Sequence, residues 1–172
     1  MSDFPECVKR ARNGDSAAFA ELYSYIYKEL YYIALCNLKI SDDAADAVSD
    51  AVLDAFKGIS KLRDIEAFKS WMIKILMTKI KRKQGEYVSL RNNRVLLPEN
   101  TQQPDKENKY NELEIIEQLD FLNENEKLCF SLNAVCGYKS DEIAEITGIN
   151  SATVRSHLSR GREKLRKKFI SD

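Results

Sequence analysis

The sequence predicts an all-α protein of two small helical domains joined by a flexible linker, the C-terminal one a helix-turn-helix. Three observations carry this. Apolar residues recur at helical spacing, as in Phe19, Leu22, Ile26, Leu30 and Ile33. Between residues 87 and 111 that spacing gives way to Asn, Gln, Pro and charge (YVSLRNNRVLLPENTQQPDKENKYN). Towards the C-terminus a short helix, a glycine turn and a capped basic helix follow one another closely. The expected boundaries are therefore 1–86, 87–111 and 112–172, and 172 residues suit two small domains, each with a core but little surplus stability.

Pro5 to Arg12 reads as a short helix ending at Asn13-Gly14, after which Asp15 caps a longer one from Ser16 to about Leu38. Tyr23, Tyr25, Tyr27, Tyr31 and Tyr32 cover its remaining faces, where they suit either the margin of a core or a stacking surface for bases. Ser41 is the expected cap of the next helix, with Asp42 and Asp43 favourable against the helix dipole. Asp42, Asp46, Asp50 and Asp54 then repeat every four residues beside an apolar stripe of Ala44, Val48, Ala51 and Ala55. Like charges at this spacing repel by about 0.2–0.5 kcal/mol per pair, so this edge is either answered by a basic partner or simply solvated. A further helix, Glu66 to Gln84, directs Phe68, Trp71, Met72, Ile75 and Ile80 to a core and Lys74, Lys79, Lys81, Arg82 and Lys83 to phosphate. Within the linker, Val88-Ser89-Leu90 and Val95-Leu96-Leu97 are apolar enough to dock on a domain or partner, and Leu113, Ile116 and Leu119 resume a helix from Glu112 to Leu122.

From Glu124 onward, Leu128, Leu132 and Val135 share one helix face, and Gly137 ends it. Lys139 to Thr147 turns Ile143, Ala144 and Ile146 inward and stops at Gly148. Ser151 is the expected cap of a third helix whose buried stripe is Val154, Leu158, Gly161 and Leu165. Its other face carries Arg155, Ser156, Ser159, Arg160 and Arg162, followed by Lys164, Arg166, Lys167 and Lys168. Such a helix suits a DNA major groove, with arginine pairing bidentately to guanine and the basic tail along phosphates.

The net charge is zero, with 27 basic and 27 acidic residues, but acids crowd Ser41 to Asp54 while bases crowd Lys74 to Lys83 and Arg155 to Lys168. That argues against indiscriminate polyanion binding and for two kinds of partner. Cys7, Cys36, Cys129 and Cys136 show no metal-ligand spacing, and the sole histidine, His157, lies on the basic helix. The cysteines read as reduced thiols, Cys129 and Cys136 being two turns apart on one helix and too distant to bridge. With one histidine, no glycine-rich phosphate loop and no clustered ligands, the sequence implies no enzyme, no cofactor and no metal. No signal peptide or membrane span is evident, so a cytoplasmic protein is expected.

The run from Leu122 to Leu165, above all Tyr138 to Ala144, Thr153 to Ser156 and Arg160 to Leu165, resembles the promoter-binding C-terminal domain of RNA polymerase sigma factors, most closely the extracytoplasmic-function subgroup. Asp42 to Phe56 is similar to the family's helix that docks on the clamp-helix coiled coil of the polymerase largest subunit. Lys61 to Ile75 is similar to its loop and tryptophan-bearing helix. Departures are Ser49 for a common glutamine, Val52 for phenylalanine, Thr78 for asparagine and Arg82 for aspartate.

The resemblance implies a transcription initiation factor that binds core polymerase and promoter DNA. Polymerase contacts fall to Asp46, Ser49, Asp50, Leu53 and Asp54. For the minus-ten element they fall to Leu62 and Arg63 in the loop and to Lys74, Thr78, Lys79, Lys81 and Arg82 on the helix. At the minus-thirty-five element Arg155, Ser156, Ser159 and Arg160 lie at or near bases, and Thr153, Lys164 and Arg166 serve phosphates. An anti-sigma factor is a further implied partner. A helix-turn-helix regulator that never joins polymerase, or a sigma-like adaptor or decoy, remains open on the residues alone.

Overall fold

The computed structural model describes residues 3–93, 114 and 116–170. Seven α-helices follow in order among the described residues: α1 (Phe4–Arg12), α2 (Ser16–Leu38), α3 (Ser41–Gly58), α4 (Phe68–Asn92), α5 (Glu124–Cys136), α6 (Ser140–Thr147) and α7 (Ser151–Ile170). A 3-10 turn at Ile59–Lys61 leads from α3 towards α4, and residues 116–119 are helical ahead of a turn at 120–121.

The Asp15 carboxylate accepts the Ala18 N–H at 3.0 Å and the Arg10 guanidinium at 2.6 Å, capping α2 and tying it to α1. At its other end α2 closes on Lys39, whose left-handed backbone (φ 64°) lets its N–H reach the Leu35 carbonyl at 2.9 Å. Phe19, Leu22, Ile26 and Leu30 form one buried stripe, and from Ile33 to Leu38 every residue of α2 is buried. A helix apolar on all sides must be covered on all sides. α1, α3 and α4 pack around α2, and α5 covers the flank that they leave. One core therefore runs through both halves, from Val8, Leu22, Leu30, Val48, Phe68 and Leu76 to Cys129, Leu132, Ile143 and Leu158.

Polar groups stitch the junction. Asn37 donates to the Ile33 carbonyl at 2.7 Å and to Ser131 Oγ at 3.3 Å, while Lys39 pairs with Asp120. Cys36 meets Leu119 and Leu122 in a small cluster bordered by Phe121, Phe130 and Leu165. Burial pushes the Cys36 and Cys129 thiols up to about 11 and Cys136 to about 12, and none of the four cysteines is joined in a disulfide. Such thiols stay protonated and unreactive at neutral pH.

Four expectations need correction. Ile40, not Ser41, precedes α3 as its cap residue, and Ser41 is the first helical residue and buried. Asn150, not Ser151, caps α7: its Oδ1 accepts the Ala152 N–H at 2.9 Å and its carbonyl the Val154 N–H at 2.9 Å. α4 starts at Phe68 and runs to Asn92, beyond the Gln84 expected, because Lys83 and Tyr87 both reach back to Asp43 on α3. The stretch 87–92, including Val88 to Leu90, is therefore helix rather than linker. The remaining linker residues 94–111, with Val95 to Leu97, lie outside the described residues, as do Glu112 and Leu113.

Candidate functional site

Two glycines set the helix-turn-helix. Gly137 (φ 72°) ends α5, its N–H on the Asn133 carbonyl at 3.0 Å, and Gly148 (φ 74°) ends α6, its N–H on the Ala144 carbonyl at 2.9 Å. Residues with side chains rarely adopt this backbone, so the chain turns here at least cost. Glu142 accepts the Lys139 N–H at 2.8 Å, opening α6. Ile143, Ile146, Val154, His157, Leu158 and Gly161 are buried, pinning α6 and α7 onto α5, while Ala144 and Leu165 stay half-buried.

That packing leaves Thr153, Arg155, Ser156, Ser159, Arg160, Arg162 and Arg166 exposed, and Lys164 half-buried. The structure brings the C-terminal candidates together on α7. A cleft of about 530 Å³ runs beside them, lined by Asn133, Lys139, Ser140, Arg155, Leu158, Ser159 and Arg162. Three cations and two hydroxyls in one cleft are suited to phosphate oxygens. Several of these side chains are already oriented. The Arg155 guanidinium donates to Ser151 Oγ at 2.8 Å and lies 3.6 Å from Asp141, and Arg162 donates to Asn133 Oδ1 at 2.9 Å. The Ser156 hydroxyl donates back to the Ala152 carbonyl at 3.1 Å, leaving its lone pairs outward.

The α4 candidates separate. Lys74, Thr78 and Lys81 are exposed on one side, Lys81 bordering a crevice of about 150 Å³ shared with Glu124 and Asn125 of α5. Lys79 and Arg82 turn instead to α3, where Lys79 pairs with Asp54 and Arg82 with Asp50 at 2.7 Å. Lys83 joins them at 3.0 Å from Asp43 and 4.0 Å from Asp46. The hydrogen bond from Lys79 holds the Asp54 carboxyl below its ordinary value, and the one to Asp43 raises the Lys83 ammonium. The acidic edge that looked self-repelling is thus answered within the fold. In the loop, Arg63 is exposed but Leu62 is buried, its carbonyl accepting from Arg12 at 3.4 Å.

On α3, Asp46, Ser49, Leu53 and Asp54 are exposed and Asp50 is half-buried. Phe56 was missed among the candidates. It is 50% exposed beside Leu53 at 57%, its ring 5.2 Å edge-on to Phe19, so an apolar patch adjoins the acids. Its position three residues after Leu53 was the available signal.

The family model described as "Sigma-70, region 4" matches residues 112–165. The RNA polymerase sigma factor SigV of Bacillus subtilis is 33% identical over 144 residues, covering 81% of this chain and 83% of SigV. The chain belongs to the sigma-70 family of RNA polymerase sigma factors. The ECF RNA polymerase sigma-E factor of Haemophilus influenzae, 26% identical across 94% of this chain and 93% of its own, places it in the extracytoplasmic-function group. Among solved structures, CnrH in complex with the cytosolic domain of CnrY superposes with a TM-score of 0.75 at 18% identity, over 98% of both chains. The sigma factor RpoE of Bartonella quintana, solved with the anti-sigma factor NepR, gives 0.72 at 22% identity over 90% of this chain and 98% of its own. These two likenesses concern the fold. As an extracytoplasmic-function sigma factor the protein is not an enzyme; it directs RNA polymerase to promoters through DNA binding by region 4. No helix among the described residues is long and apolar enough to cross a membrane.

A second missed residue of this sigma factor is Glu126 in the first turn of α5. Its side chain is 2% exposed, and it accepts the Asn123 N–H at 3.0 Å and the Lys164 ammonium at 2.7 Å. Asn123 Oδ1 accepts the Glu126 N–H at 2.9 Å in return, a capping box whose Asn-x-x-Glu spacing was visible in the sequence. Burial alone pushes the Glu126 carboxyl up. The Lys164 hydrogen bond, the Asn123 N–H and the charges of Lys164 and Arg160 together outweigh it and hold the carboxyl below its ordinary value of 4.5. A carboxyl depressed in the folded state adds stability above its unfolded value and loses it as the pH falls through the folded one. Glu126→Gln is therefore expected to cost about 1–3 kcal/mol at pH 7, the worth of hydrogen bonds to a charged group whose partners still reach water. Urea unfolding of both proteins across pH should show that gap closing as the pH drops below 4.5; a pH-independent gap would mean the carboxylate's charge is not what matters.

Proposed function

We propose that this sigma factor divides promoter and polymerase binding among α7, α4 and α3. α7 enters the major groove of the upstream minus-thirty-five element, with Arg155, Ser156, Ser159 and Arg160 at or near bases and Thr153 and Arg166 towards phosphates, which Lys164 joins only at the expense of its pair with Glu126. The observation that carries this is the exposed basic face of α7, presented by a turn fixed at Gly148 and a capped start at Asn150. Arg63, Lys74, Thr78 and Lys81 supply the cationic track for the melted minus-ten strand, and the loop before α4 captures a base. Lys79 and Arg82 join that track only at the expense of their pairs with Asp54 and Asp50.

Core polymerase docks on α3 through Asp46, Ser49, Asp50 and Asp54 around the apolar centre of Leu53 and Phe56. An apolar patch rimmed by charge is the usual anatomy of a protein interface. The minus-ten and docking domain extends through α4 to Asn92, and the minus-thirty-five domain takes up the chain from about 112. An anti-sigma factor is a further partner, supported by RpoE having been solved with NepR. The protein works in the cytoplasm, where polymerase is.

Arg160→Ala is expected to weaken binding of the polymerase complex to a cognate upstream element by about 1–3 kcal/mol and to relax preference at one base pair. Titration against cognate and scrambled duplexes measures it, and equal loss on both moves Arg160 to a phosphate role. Asp50→Lys alone would face Arg82, so it is best combined with Arg82→Asp, which restores an internal pair of reversed sense. That double variant should unfold like the wild type yet bind core polymerase at least about tenfold more weakly, a loss of roughly 1.4 kcal/mol. Undiminished binding in a pull-down titration would show that the acidic edge is not the docking face.

A further inference from the structure

Arg160 is held from two sides. Its Nε lies 3.7 Å from Glu126 Oε1, and a terminal guanidinium nitrogen lies 3.1 Å from His157 Nδ1. A guanidinium only donates, so that histidine nitrogen accepts. His157 is 8% exposed and Glu126 1%, whereas the Arg160 side chain is still 55% exposed. One buried group thus accepts a hydrogen bond from the guanidinium and another pairs with it as an ion, while more than half of the side chain stays in water. The same carboxylate neutralises Lys164, one turn further along α7, at 2.7 Å.

We propose that Glu126 is a positioning residue for promoter reading: with His157 it fixes the orientation of the Arg160 guanidinium and withdraws Lys164 from general phosphate binding. The proposal rests on the assignment of α7 as the recognition helix. Its physical basis is pre-organisation. A long flexible arginine loses rotamer freedom when it pairs with a base, and that loss is taken here on folding rather than on binding. A fixed fork also meets one donor and acceptor pattern in the groove and not its neighbours, since base pairs differ in the angular placement of those groups. The withdrawal of Lys164 works in the same direction. Each cation removed from the phosphate count lowers affinity for every sequence alike, so the ratio of specific to non-specific binding rises.

Capping α5 is a separate role for the same residue, and glutamine retains it, because its amide oxygen still accepts the Asn123 N–H. Glu126→Gln therefore removes the charge and keeps the cap. The decisive experiment selects duplexes, randomised over the upstream element, with holoenzyme carrying wild-type protein, Arg160→Ala, Glu126→Gln or His157→Leu, and sequences the bound fraction. Glu126→Gln and His157→Leu are expected to lose roughly tenfold in preference at the position that Arg160→Ala blurs and to keep the rest of the motif. On non-specific duplex, Glu126→Gln should steepen the salt dependence by about one phosphate, a change near 0.9 in the slope of log K against log salt. If Glu126→Gln and His157→Leu keep full preference at a position that Arg160→Ala loses, Glu126 only supports the fold and the proposal fails while the recognition-helix assignment stands. If Arg160→Ala itself keeps the wild-type motif, that residue does not read bases and the positioning role of Glu126 fails with it, while the assignment of α7 as the recognition helix still stands on Arg155, Ser156 and Ser159. Should circular dichroism show one of the two positioning variants unfolded at the assay temperature, the other decides.

Discussion

The complete burial of the C-terminal part of α2 is the constraint on which the rest of the fold depends. From Ile33 to Leu38 no side of the helix is left to water, so one flank must be covered by α3 and α4 and another by α5. Fully burying a large apolar side chain is worth about 1.5–3 kcal/mol, and several are buried along this helix. The one polar residue in the run, Asn37, is accommodated because its amide finds the Ile33 carbonyl and Ser131. An unpaired amide there would oppose the packing that the neighbouring residues favour. The position of α5, and hence of the helix-turn-helix built on it, follows from this contact.

Charge is organised by the same logic of pairing across helices. Acids on α3 face bases on α4, and Glu126 on α5 faces Lys164 and Arg160 on α7. The exposed pairs are individually weak and screened by salt, so they set which side chains are occupied more than how stable the fold is. Glu126 differs because its carboxylate is buried. What this packing leaves exposed is the outward face of α7, the Lys74, Thr78 and Lys81 side of α4, and Asp46, Leu53 and Phe56 of α3, the surfaces to which we assign promoter and polymerase binding.

Much of this was legible in the sequence. Gly137 and Gly148 located the ends of α5 and α6, Asp15 the start of α2, and the apolar spacing of α3 and α7 their buried stripes. The failures have a common cause. Ser41 and Ser151 are good capping residues, but a cap belongs to the residue just before the first helical one, and here those are Ile40 and Asn150. α4 outran its apolar spacing because contacts with α3, more than forty residues earlier for Tyr87, continued to hold it. The pairing of Lys79 with Asp54 is a contact of the same kind, which local spacing does not register. Glu126 was overlooked since an acid at the start of a helix reads as solvated until its neighbour on α7 is known.

The most direct measurement is transcription by purified core RNA polymerase on genomic DNA fragments, with and without this protein, followed by sequencing of the 5′ ends of the products. The account predicts new start sites that share two spaced upstream elements, present only when the protein is added. Transcripts whose start sites are unchanged by the protein would contradict it.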